Sequence, residues 1–210
     1  LLSARAVFDK TVVLEMLEKT RGIHPLVIGG MSIQHENRSA VIVPDGMGVT
    51  KVFEHPTFGF SYLVSWDSAT GADQAQDGPK SKPDWHDVQV WRAESRIDNG
   101  TTVIARMVAR HRSQVPIELS ALEAYGLSLY YGGAMIFPEV NNCGLAGVKE
   151  LERLGANIFA RKLTNVTLNN TETANGWNTN AQTKKTVVAM LAKAIRERTI
   201  DIPDNEVWQE

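Results

Sequence analysis

Residues 60–67 read FSYLVSWD, an apolar run that ends on a carboxylate. The aromatic and branched side chains predict a strand that Asp67 closes. Two more strands are predicted over 88–91 and 102–109, and the dipeptide Asn99-Gly100 between them is a strong hairpin signal. We therefore expect three consecutive strands to lie antiparallel in one sheet.

Helices and strands alternate in the second half of the chain. Pro116 suits the first turn of a helix, and the continuous apolar run 134–137 is typical of a buried parallel strand. A helix over 145–154, a brief strand over 157–160 and a helical stripe over 187–195 follow. The order β-β-β-α-β-α-β-α predicts an α/β fold, a mixed β-sheet flanked by helices.

The first 56 residues have a different pattern of predicted elements. An amphipathic helix is predicted from Asp9 to Thr20, followed by short strand-like pieces. The turn residues 44–48 predict a hairpin between the second and third of these pieces. We expect residues 1–56 to form a helix and short-strand segment of the same domain as the core, residues 57–210.

Composition excludes several classes of protein. Of 210 residues, 43% are apolar and 22% are charged, which is typical of a globular protein. The 22 basic and 24 acidic residues sum to −2, so any nucleic-acid partner needs a local basic patch. No apolar run is long enough for a membrane span and no secretory leader opens the chain, so we expect neither membrane insertion nor secretion.

Two carboxylates follow predicted central strands, Asp67 after the first and Glu139 after the apolar run 134–137. Because functional crevices lie at the carboxyl ends of strands, the two acids are expected to meet there. A cation would neutralise them, and oxygen ligands favour Mg²⁺ or Mn²⁺. The alternative is a structural role at the next helix, since Asn141 or Asn142 suits a helix N-cap.

Three motifs occur in order along the chain: YLVSWDSATG (62–71), AMIFPEVNNCG (134–144) and GWNTN (176–180) with Thr183-Lys184 after it. They resemble YVxGxDxAxG, AxxxxExNxxG and GWxTxxxTK of the nuclease domain in large terminase subunits of tailed phages. Residues 200–204, IDIPD, resemble the segment that leads into the last helices of that family. The resemblance covers Phe53 to the C-terminus.

This resemblance implies a ribonuclease H-like fold and an endonuclease that cleaves double-stranded DNA with two Mg²⁺ or Mn²⁺ ions during viral genome packaging. Asp67 would bridge the ions, and Glu139 would be the second acid. A further family aspartate would be Asp73 or Asp84. The family's third metal acid lies in a C-terminal His-Asp-Asp-like run that this sequence lacks, so we expect a C-terminally truncated core with weak or absent activity.

Other acidic residues near the C-terminus are not expected to replace that acid. We interpret them as surface or capping residues: Asp204, Glu206 and Glu210. His86 is predicted to lie in an exposed loop.

Basic residues near the last motif are the candidates for DNA contacts. Lys184 and Lys185 fall in the first turn of the last long helix, where cations oppose the helix dipole unless a phosphate is near. Arg161 would extend the same edge. The alternative is that these are solvated surface residues.

The resemblance also implies partners: double-stranded DNA, an ATPase domain of the same full-length chain, the small terminase subunit and the portal protein, in the host bacterial cytoplasm. The 210 residues carry no phosphate-loop motif of their own. Two other functions stay open. One is a different ribonuclease H-like nuclease, such as a resolvase, and the other is a non-catalytic DNA-binding or docking module.

Overall fold

A mixed β-sheet organises the protein, which the computed structural model describes over residues 7–69, 84–98, 100–141, 143–165 and 170–209. The strands are β1 (Val27–Gln34), β2 (Ser39–Pro44), β3 (Thr50–Val52), β4 (Tyr62–Asp67), β5 (His86–Asp98), β6 (Thr101–Ser113), β7 (Met135–Pro138), β8 (Ala160–Asn165), β9 (Asn170–Asn175) and β10 (Ile200–Asp201). The helices are α1 (Lys10–Thr20), α2 (Ile117–Tyr130), α3 (Gly144–Arg153), α4 (Ala181–Arg196) and α5 (Asn205–Gln209).

The large sheet has the order β2-β1-β3-β6-β5-β4-β7, with the short β10 added parallel to β6. β8 and β9 form a separate antiparallel pair. The three predicted central strands are antiparallel neighbours, and Asp98 pairs with Thr101 at the predicted hairpin. β7 lies parallel to β4, as its continuous apolar composition predicts. The α/β class and the mixed sheet flanked by helices are therefore confirmed.

The N-terminal strands join the same sheet, but not in the predicted pairing. β1 lies between β2 and β3 and pairs antiparallel with both. The predicted hairpin between the second and third pieces is therefore wrong. The eight-residue β1 pairs with β2 over Gly29–Gln34 and with β3 over Val27–Gly29. Because β2 and β3 are both antiparallel to β1, they run in the same direction, and the turn between them cannot close a hairpin.

Helices cover both faces of the sheet. Neighbouring residues of a strand point to opposite faces, so Val108 packs with α2 and α3 while Met107 packs with α1, α4 and α5. The first core surrounds Trp66, which is 2% exposed and donates to Ser120 Oγ at 3.1 Å. Trp66 precedes Asp67 directly, so this core anchors the end of β4.

α4 forms where the helical stripe predicts it, but its apolar face is only partly covered. Ile195 is buried, whereas Val187 is 48% and Met190 is 65% exposed. Across the described residues, no helix has the length and apolarity needed to cross a bilayer.

Candidate active site

Asp67 and Glu139 lie at the same edge of the sheet, at the carboxyl ends of β4 and β7. Trp66 pairs with Pro138 between β4 and β7, so each strand is followed or closed by a carboxylate at that edge. The backbone N–H of Glu139 donates to the Trp66 carbonyl oxygen at 3.1 Å. Both side chains line one cavity of about 510 Å³, called here the acidic cavity. Its charged lining residues are Asp67, Asp87, Arg110, Glu139 and Lys184.

The electrostatics of Asp67 reflect this crowding. Asp67 opens toward solvent, yet burial among the strand ends raises the pKa of its carboxyl. The charges of Glu139, Asp87 and Asp84 raise this pKa further, against a smaller opposing effect of His86. A carboxylate whose charge is opposed by burial and by other carboxylates gains from a nearby cation.

Asn141 orients Glu139. Its side-chain amide donates to Glu139 Oε1 at 2.9 Å and to the Thr179 carbonyl at 2.6 Å. Asn141 is therefore not the N-cap of α3, a position held by Cys143 without a side-chain bond. Asn142, the other N-cap candidate, lies outside the described residues.

The start of α3 is packed against the backbone of Glu139. A Cβ on Gly144 would lie 1.9 Å from the Glu139 carbonyl oxygen. Only glycine allows this approach, so the first residue of α3 limits how the strand end that carries Glu139 can move.

Asp87 is a cavity residue that the sequence analysis missed. It pairs directly with Asp67 across the β4–β5 ladder. Arg110, whose side chain is 2% exposed, donates from Nε to Asp87 Oδ2 at 2.9 Å and also bonds it through Nη2. The segment DWHDVQV contains a signal, because Asp87 directly precedes the predicted strand 88–91. Its position opposite Asp67 depends on the register between β4 and β5.

The two candidates for a further aspartate have different outcomes. Asp84 is exposed before β5 and acts on Asp67 through its charge, but it does not line the acidic cavity. Asp73 lies outside the described residues. Over the ranges that the structure describes, no three His, Cys, Asp or Glu side chains form a group that could hold a metal ion.

Asp204 is buried rather than on the surface. It is 3% exposed, lies 3.3 Å from Arg110 Nη1 and 3.4 Å from Lys51 Nζ, and accepts from the Glu206 N–H at the start of α5. The surface interpretation of Asp204 is therefore wrong, while its capping role is seen. Glu206 is exposed and pairs with Lys51, and Glu210 lies outside the described residues.

The three predicted DNA-contact residues occupy different positions. Lys184 and Lys185 are both exposed, but only Lys184 lines the acidic cavity. Arg161 is half-buried and donates from Nη1 to the Gly176 carbonyl at 3.0 Å. Only Lys184 of the three lies with the carboxylates.

His86 is fully buried, so the prediction of an exposed loop is wrong. Its Nδ1 accepts from the Ala69 N–H at 3.1 Å, which places the ring proton on Nε2, 2.8 Å from the Val115 carbonyl oxygen. This ring ties the backbone just after Asp67 to the segment between β6 and α2. Its burial follows from the sheet pairing, which the local sequence did not reveal.

Solved structures with a similar fold include large terminase nuclease domains. The nuclease of thermophilic phage G20c with bound magnesium aligns with a TM-score of 0.56 and 14% identity, over 98% of this chain and 78% of that chain. The G20c nuclease with bound cobalt gives 0.56 and 14%, over 99% and 79%. The nuclease domain of Thermus phage P74-26 gives 0.55 and 13%, over 94% and 75%.

These alignments establish the fold. The chain has the ribonuclease H-like α/β fold of large terminase nuclease domains, as the motif resemblance implies. No family model and no curated protein matches the sequence.

Proposed function

We propose that this chain is a metal-dependent endonuclease domain that cleaves double-stranded DNA during viral genome packaging. One observation carries the proposal: Asp67 ends β4, Glu139 directly follows the adjacent parallel strand β7, and both line the same cavity. The fold shared with terminase nuclease domains supports it, since functional crevices lie at the carboxyl ends of such strands.

The residues present suit a divalent cation. The donors at the strand ends are carboxylate oxygens, which Mg²⁺ and Mn²⁺ prefer. The raised pKa of Asp67, caused by burial and by neighbouring carboxylates including Glu139, is the mark of a charge excess that a cation would relieve. We propose that Asp67 and Glu139 would hold two such ions.

Bound Mg²⁺ or Mn²⁺ would activate a water for attack on a phosphodiester and stabilise the charge of the leaving oxygen. The chain's own part is to hold the two carboxylates rigidly. The Trp66 core and the His86 bridge fix the end of β4. The Asn141 side chain fixes the Glu139 carboxylate through its hydrogen bond to Oε1.

The partners proposed with this function are double-stranded DNA, an ATPase domain of the same full-length chain, the small terminase subunit and the portal protein. We propose that this assembly works in the cytoplasm of the bacterial host. Each of these partners follows from the motif resemblance.

A plasmid-cleavage assay tests the proposal. Wild type is incubated with supercoiled plasmid in Mn²⁺ and in EDTA, beside Asp67→Asn, Glu139→Gln and Asp84→Asn. Because the C-terminal acid of the motif resemblance is missing from this sequence, we expect weak cleavage, and in Mn²⁺ only. We expect a loss of at least about a hundredfold in the first two variants, and a change within about threefold in Asp84→Asn, whose carboxylate lies outside the acidic cavity.

A non-catalytic DNA-binding or docking module is the second candidate. Among the described residues no third carboxylate completes a metal-binding group with Asp67 and Glu139, which favours this reading. Plasmid left intact in Mn²⁺, together with a melting temperature that Mn²⁺ does not change, would support the docking module and contradict the nuclease.

A further inference from the structure

Lys184 belongs to α4 and lines the acidic cavity. It is in the first turn of this helix, where its N–H donates to the Asn180 carbonyl at 2.8 Å. Val187 and Val188 line the same cavity, and residues three and four apart share one side of a helix. Lys185 is the next residue along and projects from a different side, about 100° around the helix.

The position of Lys184 is electrostatically unfavourable for the helix alone. The first turn of α4 contains no acidic residue, and a cation there opposes the helix dipole. No described residue forms an ion pair with Lys184, in contrast to Lys51 and Arg110, which are each held by two carboxylates. Lys184 is thus an exposed cation that lines the cavity and has no protein counter-ion among the described residues.

An anionic substrate resolves both features. A phosphodiester that approaches Asp67 and Glu139 is repelled by their charges, and a cation on another wall of the cavity offsets that repulsion. An ammonium group suits this contact because it acts as a point charge with three rotatable donors. The apolar side chains of Val187 and Val188 beside it offer a surface for the sugar carbons of a nucleic-acid strand.

We propose that Lys184 binds the phosphodiester that lies over Asp67 and Glu139, and that Lys185 does not. This inference rests on the nuclease function proposed above. It makes Lys184 a catalytic residue, which contacts the non-bridging phosphate oxygens and stabilises their charge. Because the contact is to phosphate, recognition through Lys184 is independent of base sequence.

The test compares Lys184→Ala, Lys184→Arg and the neighbouring Lys185→Ala in the full chain. Binding to a short labelled DNA duplex is measured by fluorescence anisotropy without divalent metal over a salt series, and plasmid cleavage is measured in Mn²⁺. We expect Lys184→Ala to weaken binding about tenfold, to reduce the slope of log affinity against log salt by about one, and to slow cleavage about a hundredfold.

The control variants separate this role from others. Lys185→Ala is expected to stay within about twofold of wild type in binding and cleavage, and Lys184→Arg to keep most of the binding because it keeps the charge. The melting temperature of Lys184→Ala should equal or exceed that of wild type, since a first-turn cation is removed.

The outcomes are distinguishable. If wild type neither binds nor cleaves DNA, the proposed function and this inference are both wrong. If wild type cleaves and Lys184→Ala behaves like Lys185→Ala, only the inference about Lys184 is wrong. A lower melting temperature that accompanies the loss in Lys184→Ala would assign it a structural role and also overturn the inference.

Discussion

Asp67 lies directly opposite Asp87 in the antiparallel ladder between β4 and β5. Two like charges at such a position are unfavourable, and the protein compensates one of them with the buried Arg110. Asp87 is thus neutralised within the fold, while Asp67 faces Glu139 at the parallel strand on its other side. The structure therefore separates a structural carboxylate from a pair that is open to a ligand.

The first prediction concerns metal binding by this pair. At a Mn²⁺ concentration about 100 times its Kd, binding stabilises the folded state by about 2.7 kcal/mol, which raises the melting temperature of a chain of this size by roughly 5–11 °C. Asp67→Asn should remove this rise. In EDTA the same variant should melt at or above the wild-type temperature, because burial and the Glu139 charge oppose ionised Asp67. Differential scanning fluorimetry measures both, and an unchanged Mn²⁺ response in Asp67→Asn would contradict a metal site at this residue.

The second prediction concerns Arg110, which joins Asp87 to Asp204. Arg110→Met removes the buried guanidinium from Asp87 and Asp204, which keep contacts with Arg112 at 3.5 Å and Lys51 at 3.4 Å. We therefore expect a loss of about 3 kcal/mol in the free energy of unfolding. Urea denaturation measures it. Arg153→Met is the matched control, because the Arg153–Glu150 pair is exposed and its loss should change stability little. Equal losses in the two variants would show that the buried network is not a stabilising element.

The third prediction concerns the contact between α3 and the end of β4. A Cβ on Gly147 would lie 2.3 Å from Trp66 Cη2, and this ring is buried and hydrogen-bonded. Gly147→Ala should therefore destabilise the fold by about 1–3 kcal/mol through overpacking, and a shifted Trp66 should weaken the Mn²⁺ response. Gly30→Ala, with open space around its Cβ, is the control. A Gly147→Ala variant as stable as Gly30→Ala would mean that α3 can move away from Trp66.

The fourth prediction concerns the pH dependence of stability through Glu123. Burial by itself would raise the pKa of Glu123, but the contact with His111 at 3.0 Å and the Ser113 hydrogen bond at 2.6 Å outweigh it and lower this pKa below its ordinary value of 4.5. Because the folded-state pKa lies below the unfolded one, proton binding favours unfolding. The stabilisation is present above pH 4.5 and disappears as the pH falls through the folded-state pKa.

We therefore expect Glu123→Gln to lower the free energy of unfolding by about 1–2 kcal/mol at neutral pH, and the difference from wild type to shrink in acid. Urea denaturation at several pH values measures this difference. Glu118→Gln, on an exposed position of the same helix, controls for the loss of one charge. A difference that stays constant from neutral pH into acid would contradict the prediction.

Much of the core was predictable because its signals are local. Each of three local patterns predicts the secondary structure of its own segment. They are the apolar run before Asp67, the Asn99-Gly100 dipeptide and the uninterrupted apolar run of β7. Other features depend on which segments meet. β1 inserts between β2 and β3, and Asp87 becomes important only through its register with Asp67.

Side-chain environment was the least predictable level. His86 reads as a polar loop residue between two aspartates, yet pairing of β5 with β4 and β6 buries it. Arg161, which reads as part of a basic edge, is used to bind a backbone carbonyl. The two adjacent lysines of α4 look equivalent in sequence and differ only in the direction that the helix gives them.

The amino-acid sequence by itself determined the order of helices and strands and the two strand ends that carry Asp67 and Glu139, because hydrophobic periodicity and turn chemistry act over a few neighbouring residues. Only the tertiary structure decided that these carboxylates share a cavity, that Asp87 is neutralised by Arg110, and that Lys184 rather than Lys185 faces them. Such pairings join residues far apart in the chain, and their energies depend on distance and burial, which arise only when the sheet and its helices have packed.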